Sequence, residues 1–405
     1  MTSDVGGERS RPSLTPPEYP SALAGPGPGH PAHIPRPEHA PLEVPVSPRA
    51  GRTAPLWIIG VLVLISVALV GYFLTNLGAV SSIIGMVLAL IPLVVVLFAV
   101  RIIDRWEPEP RGLMILAVAW GAIAAVGMTL AADFVITLLI GYDGSVLREA
   151  FSTVVQAPVV EEFAKGLGVF LIFLTARRAF DGPVDGIVYG ALVGAGFAFT
   201  ENIQYFAISF IEGGVVDTSA TFFIRGILSP FAHVMFTSVT GFALGLAARR
   251  GAALPQAAGA WVIGMMGATA LHALWNGSAM FGDFYGLYLT LQVPLFVMFI
   301  LGILALRKEE TRLTKRRLGE YAAAGWFTEQ EVDMLATPSG RKAGLEWAKT
   351  LRGDRTALME GFISDATALA AARQRALSGR DPNADQDERA LLASTAAARA
   401  ALFAI

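Results

Sequence analysis

The chain has 405 residues, a formal net charge of -2 and no cysteine, with 54% hydrophobic and only 16% charged residues and a mean hydropathy of +0.55. A water-soluble globule cannot bury that much apolar surface, so the sequence reads as a polytopic membrane protein. The near-neutral charge gives no nucleic-acid signature, and the missing thiols exclude disulfides, cysteine nucleophiles and thiolate metal sites.

Residues 1–55 are rich in proline and glycine and poor in large apolar side chains, the composition of a disordered tail. Its His30, His33 and His39 are incidental to that composition. It lacks the basic, apolar, small-residue layout of a cleaved signal peptide, so the first hydrophobic stretch reads as a retained anchor. Stretches long enough to span a ~30 Å hydrocarbon layer follow at Leu56–Asn76, Ala79–Val100, Leu113–Ile140, Ala150–Ala176, Val184–Ile211, Thr221–Ala248, Gln256–Met280 and Phe284–Leu306. The expected fold is therefore all-α, a membrane bundle of about eight helices, with the chemistry-bearing helices at 150–280. Arg49 and Arg52, Arg101, Arg105 and Arg111, Arg177 and Arg178, Arg249 and Arg250, then Arg307 and Lys308 fall in alternate loops. The positive-inside rule then puts both termini in the cytoplasm, with the protein in the plasma membrane. Arg148 and Arg225 oppose the bias near outer helix starts, where long side chains snorkel. Residues 307–405 turn charged and alanine-rich and read as a small cytoplasmic helical domain, with helices in LTKRRLGEYAAAG, TEQEVDMLA, GLEWAKTLRG and TALMEGFISDATALAAARQRAL. Its sparse large apolar residues predict a marginal core and a regulatory or docking role toward a cytoplasmic partner.

Ionisable groups interrupt four consecutive apolar segments: Glu161, Glu162 and Lys165 in PVVEEFAKGLGVF, Glu201 in FAFTENIQYF, then His233 and His272. Each costs roughly 2.5–3.5 kcal/mol to insert, a cost associated with polar functional sites. Counted at ~1.5 Å per residue from the outer helix ends, Glu161, Glu201, His233 and His272 all fall ~12–18 Å deep. The pairs Glu161/Lys165, Glu201/Tyr205, His233/Thr237 and His272/Asn276 are spaced i,i+4, so each group has a companion on its own face. Two imidazoles with carboxylates suit a zinc site that lowers the pKa of bound water, with His233, His272 and Glu201 as the expected ligands. A glutamate such as Glu161 would take the water's proton, and Lys165 or Asn276 would steady an oxyanion; the product is peptide hydrolysis. A proton- or ion-coupled transporter uses the same residue types, and a membrane scaffold recruiting cytoplasmic partners would need none of them. Tyr205 and Trp275 read as packing residues, and Asp133 stands by itself in the third helix.

The succession EEFAK, TENIQY, HVMFT and HALWNG, preceded by DRWEPEP, resembles the PrsW family of intramembrane proteases, in the clan of the CAAX prenyl endopeptidases. The resemblance covers roughly Ile103 to Asn276. It places Glu161, Glu162, Lys165, Glu201, His233 and His272 on motif positions of the family, with Asn276 one turn beyond the last histidine. It implies cleavage of membrane-embedded proteins, including anti-sigma factors. It leaves two chemistries open: a zinc-assisted one, and a metal-free one in which a glutamate activates water beside the two imidazoles and an amide.

Overall fold

The computed structural model describes residues 53–141, 144–281, 283–379 and 381–403. The tail expected over 1–55 lies outside the described residues as far as residue 52. Among the described residues all regular structure is helical. The chain divides into two compact units, one spanning Arg49–Leu306 and the other containing Arg307–Ile405.

The first unit begins with α1 (Thr53–Asn76) and α2 (Ala79–Ile103), then α3 (Arg111–Ala119) and α4 (Val126–Ile140) joined through a π-helical turn at Trp120–Ala125. α5 (Val146–Phe151), a second π turn at Ser152–Gln156, and α6 (Ala157–Thr175) follow. Next come α7 (Pro183–Phe222), a π turn at Phe223–Leu228, α8 (Ala232–Arg249) and α9 (Leu254–Phe281). The short α10 (Phe284–Leu287), a fourth π turn at Tyr288–Gln292 and the start of α11 (Val293–Ala323) close the unit. Large apolar side chains such as Leu64, Phe98, Leu139, Ile263 and Leu301 are exposed on the outer helices, as lipid-facing surfaces require. Among the described residues, six helical stretches can cross a membrane by length and composition, one of them Pro183–Arg249 taken as one run. This is an integral membrane protein. Two features separate that number from the eight expected: α6 carries three charges, and the Pro183–Arg249 run reverses.

The reversal is at Gly214, whose φ of 62° lies in the left-handed region that glycine adopts without strain. The gap between the expected spans Val184–Ile211 and Thr221–Ala248 is thus closed by a single turn inside helix. Residues 215–249 then run back antiparallel along 183–213. The hydroxyls of Ser209 and Thr221 meet at 2.7 Å, the rings of Phe206 and Phe222 lie 5.7 Å apart, and Arg225 reaches Asn202 at 2.7 Å. Farther along, a Cβ added at Gly190 would come within 2.7 Å of the Thr237 carbonyl oxygen. Gly186 and Gly194 meet the backbone of Gly241 and His233 in the same way. Glycine at every fourth residue of GPVDGIVYGALVG lets the two backbones touch, which fixes the register of the hairpin.

Three of the four π turns end one residue short of a proline: Pro158, Pro230 and Pro294. A proline has no N–H for the carbonyl four residues back and its ring crowds that carbonyl, so the wider turn ahead of it absorbs the conflict. At Pro230 the helix opens over Ser229–Phe231 before α8 resumes. The freed backbone is satisfied locally: Ser229 N–H and Oγ donate to Ile224 O at 3.0 and 2.7 Å, and Tyr288 Oη donates to Leu228 O at 2.8 Å. Broken helix is tolerated at membrane depth only under such conditions.

The second unit contains the part of α11 beyond Leu306, then α12 (Glu329–Leu335), α13 (Pro338–Thr350), α14 (Thr356–Ser378) and α15 (Ala384–Phe403). The expected marginal core is a real one: Leu318, Tyr321, Phe327, Leu335, Phe362 and Leu369 are buried together. Arg373 pairs there with Glu320 at 2.7 Å and Glu388 at 3.4 Å. α15 had no counterpart among the predicted helices, because its alanine-rich sequence shows little of the apolar stripe that marks a buried helix face.

Candidate functional site

Four elements deliver the polar groups: α6 brings Glu161, Glu162 and Lys165, α7 brings Glu201, α8 opens on His233, and α9 brings His272. Glu162 and Lys165 have no exposed surface, and Glu161 keeps 7%. Of the two neighbouring acids, Glu161 is therefore the one that keeps some exposed surface.

Lys165 Nζ lies 2.7 Å from Glu162 Oε1 and 3.2 Å from Glu161 Oε2. It also lies 3.0 Å from His233 Nδ1 and 4.1 Å from the centre of the Phe197 ring. An ammonium only donates, so His233 Nδ1 accepts from it, and the proton sits on His233 Nε2, which donates to Glu201 Oε2 at 2.8 Å. Across the site, His272 Nδ1 donates to Glu162 Oε1 at 3.1 Å, and Thr237 Oγ1 donates to the other oxygen of Glu162 at 3.1 Å. This leaves the lone pair of His272 Nε2 directed toward Glu161 Oε2, 3.9 Å away. The two imidazoles stand edge to face with centres 5.0 Å apart. Each is oriented by a carboxylate on its far nitrogen, the arrangement that presents ring nitrogens to a shared centre.

The residues singled out from the sequence thus meet, with two redistributions. Glu201 is committed to Arg225, whose guanidinium forms a short ion pair with it, also donates to Asn202 Oδ1 at 2.7 Å and covers the Tyr205 ring at 3.9 Å. Arg225 therefore does not snorkel to a surface; it neutralises Glu201 from the returning arm of the hairpin. The sequence carried a signal for it, a lone arginine in an apolar segment, but linking it to Glu201 needs the turn at Gly214. Asn276 Nδ2 donates to the Thr153 carbonyl at 2.9 Å, which ties α9 to the π turn ahead of α6. Asp133 accepts from Gln156 at 2.9 Å, so it too has a partner on that turn. Phe197 beneath Lys165, Phe236 stacked on His272 at 4.9 Å and Trp120, which donates to Ala164 O at 3.0 Å, are supports that spacing arguments did not single out. Trp275 meets Phe236 edge on at 5.9 Å, a packing contact.

Glu161, His233 and His272 each offer a donor atom within 4.8 Å of the others, the set of described residues that could hold a metal ion. Glu201, expected as a ligand, is outside that set. One carboxylate and two imidazoles suit zinc in kind and spacing. Lys165 is the complication: its ammonium sits against two of the three donors. A divalent ion fits these residues with Lys165 drawn back.

At the other end of the bundle, DRWEPEP makes a separate clamp between α2 and α3. The backbone N–H of Glu109 donates to both Asp104 oxygens at 3.1 and 3.2 Å, and Tyr189 Oη donates to Glu109 Oε2 at 2.6 Å. Burial pushes the Asp104 carboxyl up to about 6, offset in part by the Glu109 N–H. Burial and then the charge of Asp185 hold Glu109 well above the usual carboxylate range.

Residues 109–303 match the family described as PrsW family intramembrane metalloprotease. Among curated relatives, Protease PrsW of Geobacillus kaustophilus is 29% identical over 144 residues, covering 36% of this chain and 58% of the relative. Protease PrsW of Oceanobacillus iheyensis is 32% identical over 139 residues, 34% of this chain and 58% of the relative. The Clostridioides difficile protein of that name is 29% identical over 157 residues, 38% and 62%. The chain thus spans about three-fifths of the length of these relatives. No solved structure matches it.

Proposed function

From the premise that the chain belongs to the PrsW family through residues 109–303, we propose that it is an intramembrane endopeptidase that hydrolyses peptide bonds of membrane proteins. One observation carries the reading: a buried glutamate and two oriented imidazoles converge within 4.8 Å in the interior of a bundle whose outer helices present lipid-facing surfaces.

In this reading water lies between Glu161 Oε2 and His272 Nε2, whose 3.9 Å separation is too long for a direct hydrogen bond and is bridged by one water. Glu161 takes the water's proton as the oxygen attacks the scissile carbonyl, then returns it to the leaving amine. Lys165 compensates the charge of the adjacent carboxylates and is the donor nearest the developing oxyanion. Glu162 and Glu201 position the imidazoles of His272 and His233, and Arg225 holds Glu201. Asn276 acts by holding α9 against the turn before α6. Glu161, His233 and His272 are the residues that would hold zinc, which when bound would polarise the carbonyl and acidify water. The membrane topology that goes with this is eight crossings, counting α6 and both arms of the hairpin, with both termini and residues 307–405 cytoplasmic.

The test is Glu161→Gln in the full-length protein, which keeps size and hydrogen bonding but cannot accept a proton. Membrane levels should be unchanged and turnover of co-expressed single-span proteins lost. Undiminished turnover overturns the proposal, and carboxylate-dependent vesicle uptake with no cleavage would favour a transporter.

A further inference from the structure

The three wide turns that precede prolines are joined by hydrogen bonds into one chain, which the hydrolytic groups themselves do not use. In each turn the residue just before the proline donates its N–H five residues back instead of four: Ala157 to Ser152 O, Ser229 to Ile224 O and Val293 to Tyr288 O. The carbonyls of Thr153, Arg225 and Leu289 thereby lose their α-helical donor, and the next residue, proline, has no N–H to offer in the wide register. Backbone bonding alone does not fix such a turn, so its shape depends on what is bonded to it from outside.

Side chains of neighbouring helices supply those bonds. Asn276 Nδ2 gives Thr153 O a donor at 2.9 Å. Gln156, buried at the end of the same turn, donates from Nε2 to Asp133 Oδ1 on α4 at 2.9 Å. Gln292 repeats the arrangement: it too is buried, closes a wide turn and stands two residues before a proline, and its Nε2 donates to Ser278 Oγ on α9 at 2.5 Å. Ser278 donates in turn to Trp275 O at 2.8 Å. Tyr288, which opens the turn that Gln292 closes, donates to Leu228 O at 2.8 Å. The belt so formed runs from α4 through the turn before α6, along residues 275–278 of α9 and through the turn before α11 to the turn before α8.

Each of the three convergent groups lies close to this belt in sequence. Glu161 is five residues after Gln156, His233 five after Leu228, and His272 three before Trp275. Hydrogen bonds between membrane helices ordinarily add stability. These end on irregular turns, where one residue of slack rotates the following helix by ~100°. Resting on the proposed protease reading, we propose that Asp133 through Gln156, and Tyr288 through Leu228, are positioning residues: the belt sets the directions of Glu161 and His233 relative to His272.

The test uses purified full-length protein in lipid vesicles. Asp133→Leu removes the acceptor of Gln156 from an exposed position, Asp133→Asn keeps an acceptor oxygen, and Tyr288→Phe removes one hydroxyl. On a single-span reporter, Asp133→Leu and Tyr288→Phe should each lower kcat at least about tenfold, within the range that ångström-scale misplacement costs. KM should stay within about twofold, thermal unfolding should change little, and Asp133→Asn should restore most of the activity. Because the chain has no cysteine, a nitroxide on Val159→Cys, an exposed position of α6, reads the direction of that helix independently of cleavage. Its accessibility to oxygen should fall in Asp133→Leu, as α6 turns the label away from lipid, and hold in Asp133→Asn. Undiminished kcat in either Asp133→Leu or Tyr288→Phe, kcat lost only in step with thermal stability, or a label unmoved by Asp133→Leu overturns the proposal. If the label shifts as expected but the unchanged protein cleaves no reporter, the protease reading falls and the aiming of α6 by the belt stands.

Discussion

Replacing Lys165 with methionine should turn the site into a tighter zinc site. The ammonium is 3.0 Å from His233 Nδ1 and 3.2 Å from Glu161 Oε2, so an ion bound by those atoms would sit within about 4 Å of it. Two unit charges at ~4 Å repel by ~4 kcal/mol at an effective dielectric of ~20, hence ~8 kcal/mol for a dication. The unchanged protein avoids much of that by swinging the flexible side chain aside, so the expected gain is smaller, at least about a hundredfold in affinity, or ~2.7 kcal/mol. Methionine keeps the length and fills the space against Phe197. The assay is zinc content per chain of purified full-length protein equilibrated with buffered zinc, with Lys165→Met/His272→Ala as the control that removes a ligand. The unchanged protein should half-saturate at far higher free zinc than Lys165→Met, and the double variant should lose the gain. If the unchanged protein binds one zinc tightly and Lys165→Met weakens it, Lys165 does not compete with the ion and the reasoning fails.

Arg225→Met should destabilise the membrane unit by about 2 kcal/mol, as expected for leaving Glu201 without its cation in a partly buried site, and should lower cleavage with it; thermal unfolding of the purified protein measures the first. Asp104 has a raised carboxyl value in the fold, so its contribution to stability is fully present below its unfolded value of 3.8 and is lost as pH rises through about 6. Asp104→Asn should therefore flatten the melting temperature between about pH 4 and pH 6, and an unchanged slope would refute the burial argument. Tags placed before Leu56 and after Leu306 should be shielded in intact cells while a tag at Gly214 is labelled from outside; labelling at either terminus would reverse the topology and the depth argument with it.

The site was legible in the sequence as far as local properties reach. Glu161, Glu201, His233 and His272 could be assigned to one layer because helical rise and charge alternation are such properties. Their partners were harder to assign. Glu201 reads as a ligand when only its residue type and depth are known, and becomes the far-side partner of His233 once Arg225 is beside it. That neighbour comes from a residue 24 positions away across a turn of one glycine, and nothing in the local pattern distinguishes that turn from an eight-residue loop. The roles of Glu161 and Glu162 are equally hidden: adjacent on α6, they differ in that one bonds Thr237 and His272 while the other keeps a little exposed surface and stands 3.9 Å from His272 Nε2. The fate of Asn276 also turned on a distant backbone carbonyl rather than on its spacing from His272.

The prolines are visible in the sequence, but the wide turns ahead of them are not. Pro158 lies three residues before Glu161, Pro230 three before His233, and Pro294 two after Gln292. Each is preceded by a π turn, and one residue added to a turn rotates the rest of the helix by ~100° about its axis. Glu161 and His233 are thus both aimed by helix irregularities shortly upstream of them. Restoring regular hydrogen bonding there with an N–H, as in Pro158→Ala, removes the reason for the wide turn at Ser152–Gln156. If that turn relaxes to α-helix, Glu161 and Lys165 rotate together, keeping their 3.2 Å pair, but swing away from His233 and His272. The expected outcome is a protein at least as stable as the original with sharply reduced cleavage, separating the geometry of the site from the stability of the bundle. A stable Pro158→Ala variant with full activity would show that packing against α8 and α9, rather than the proline, sets the direction of the α6 carboxylates.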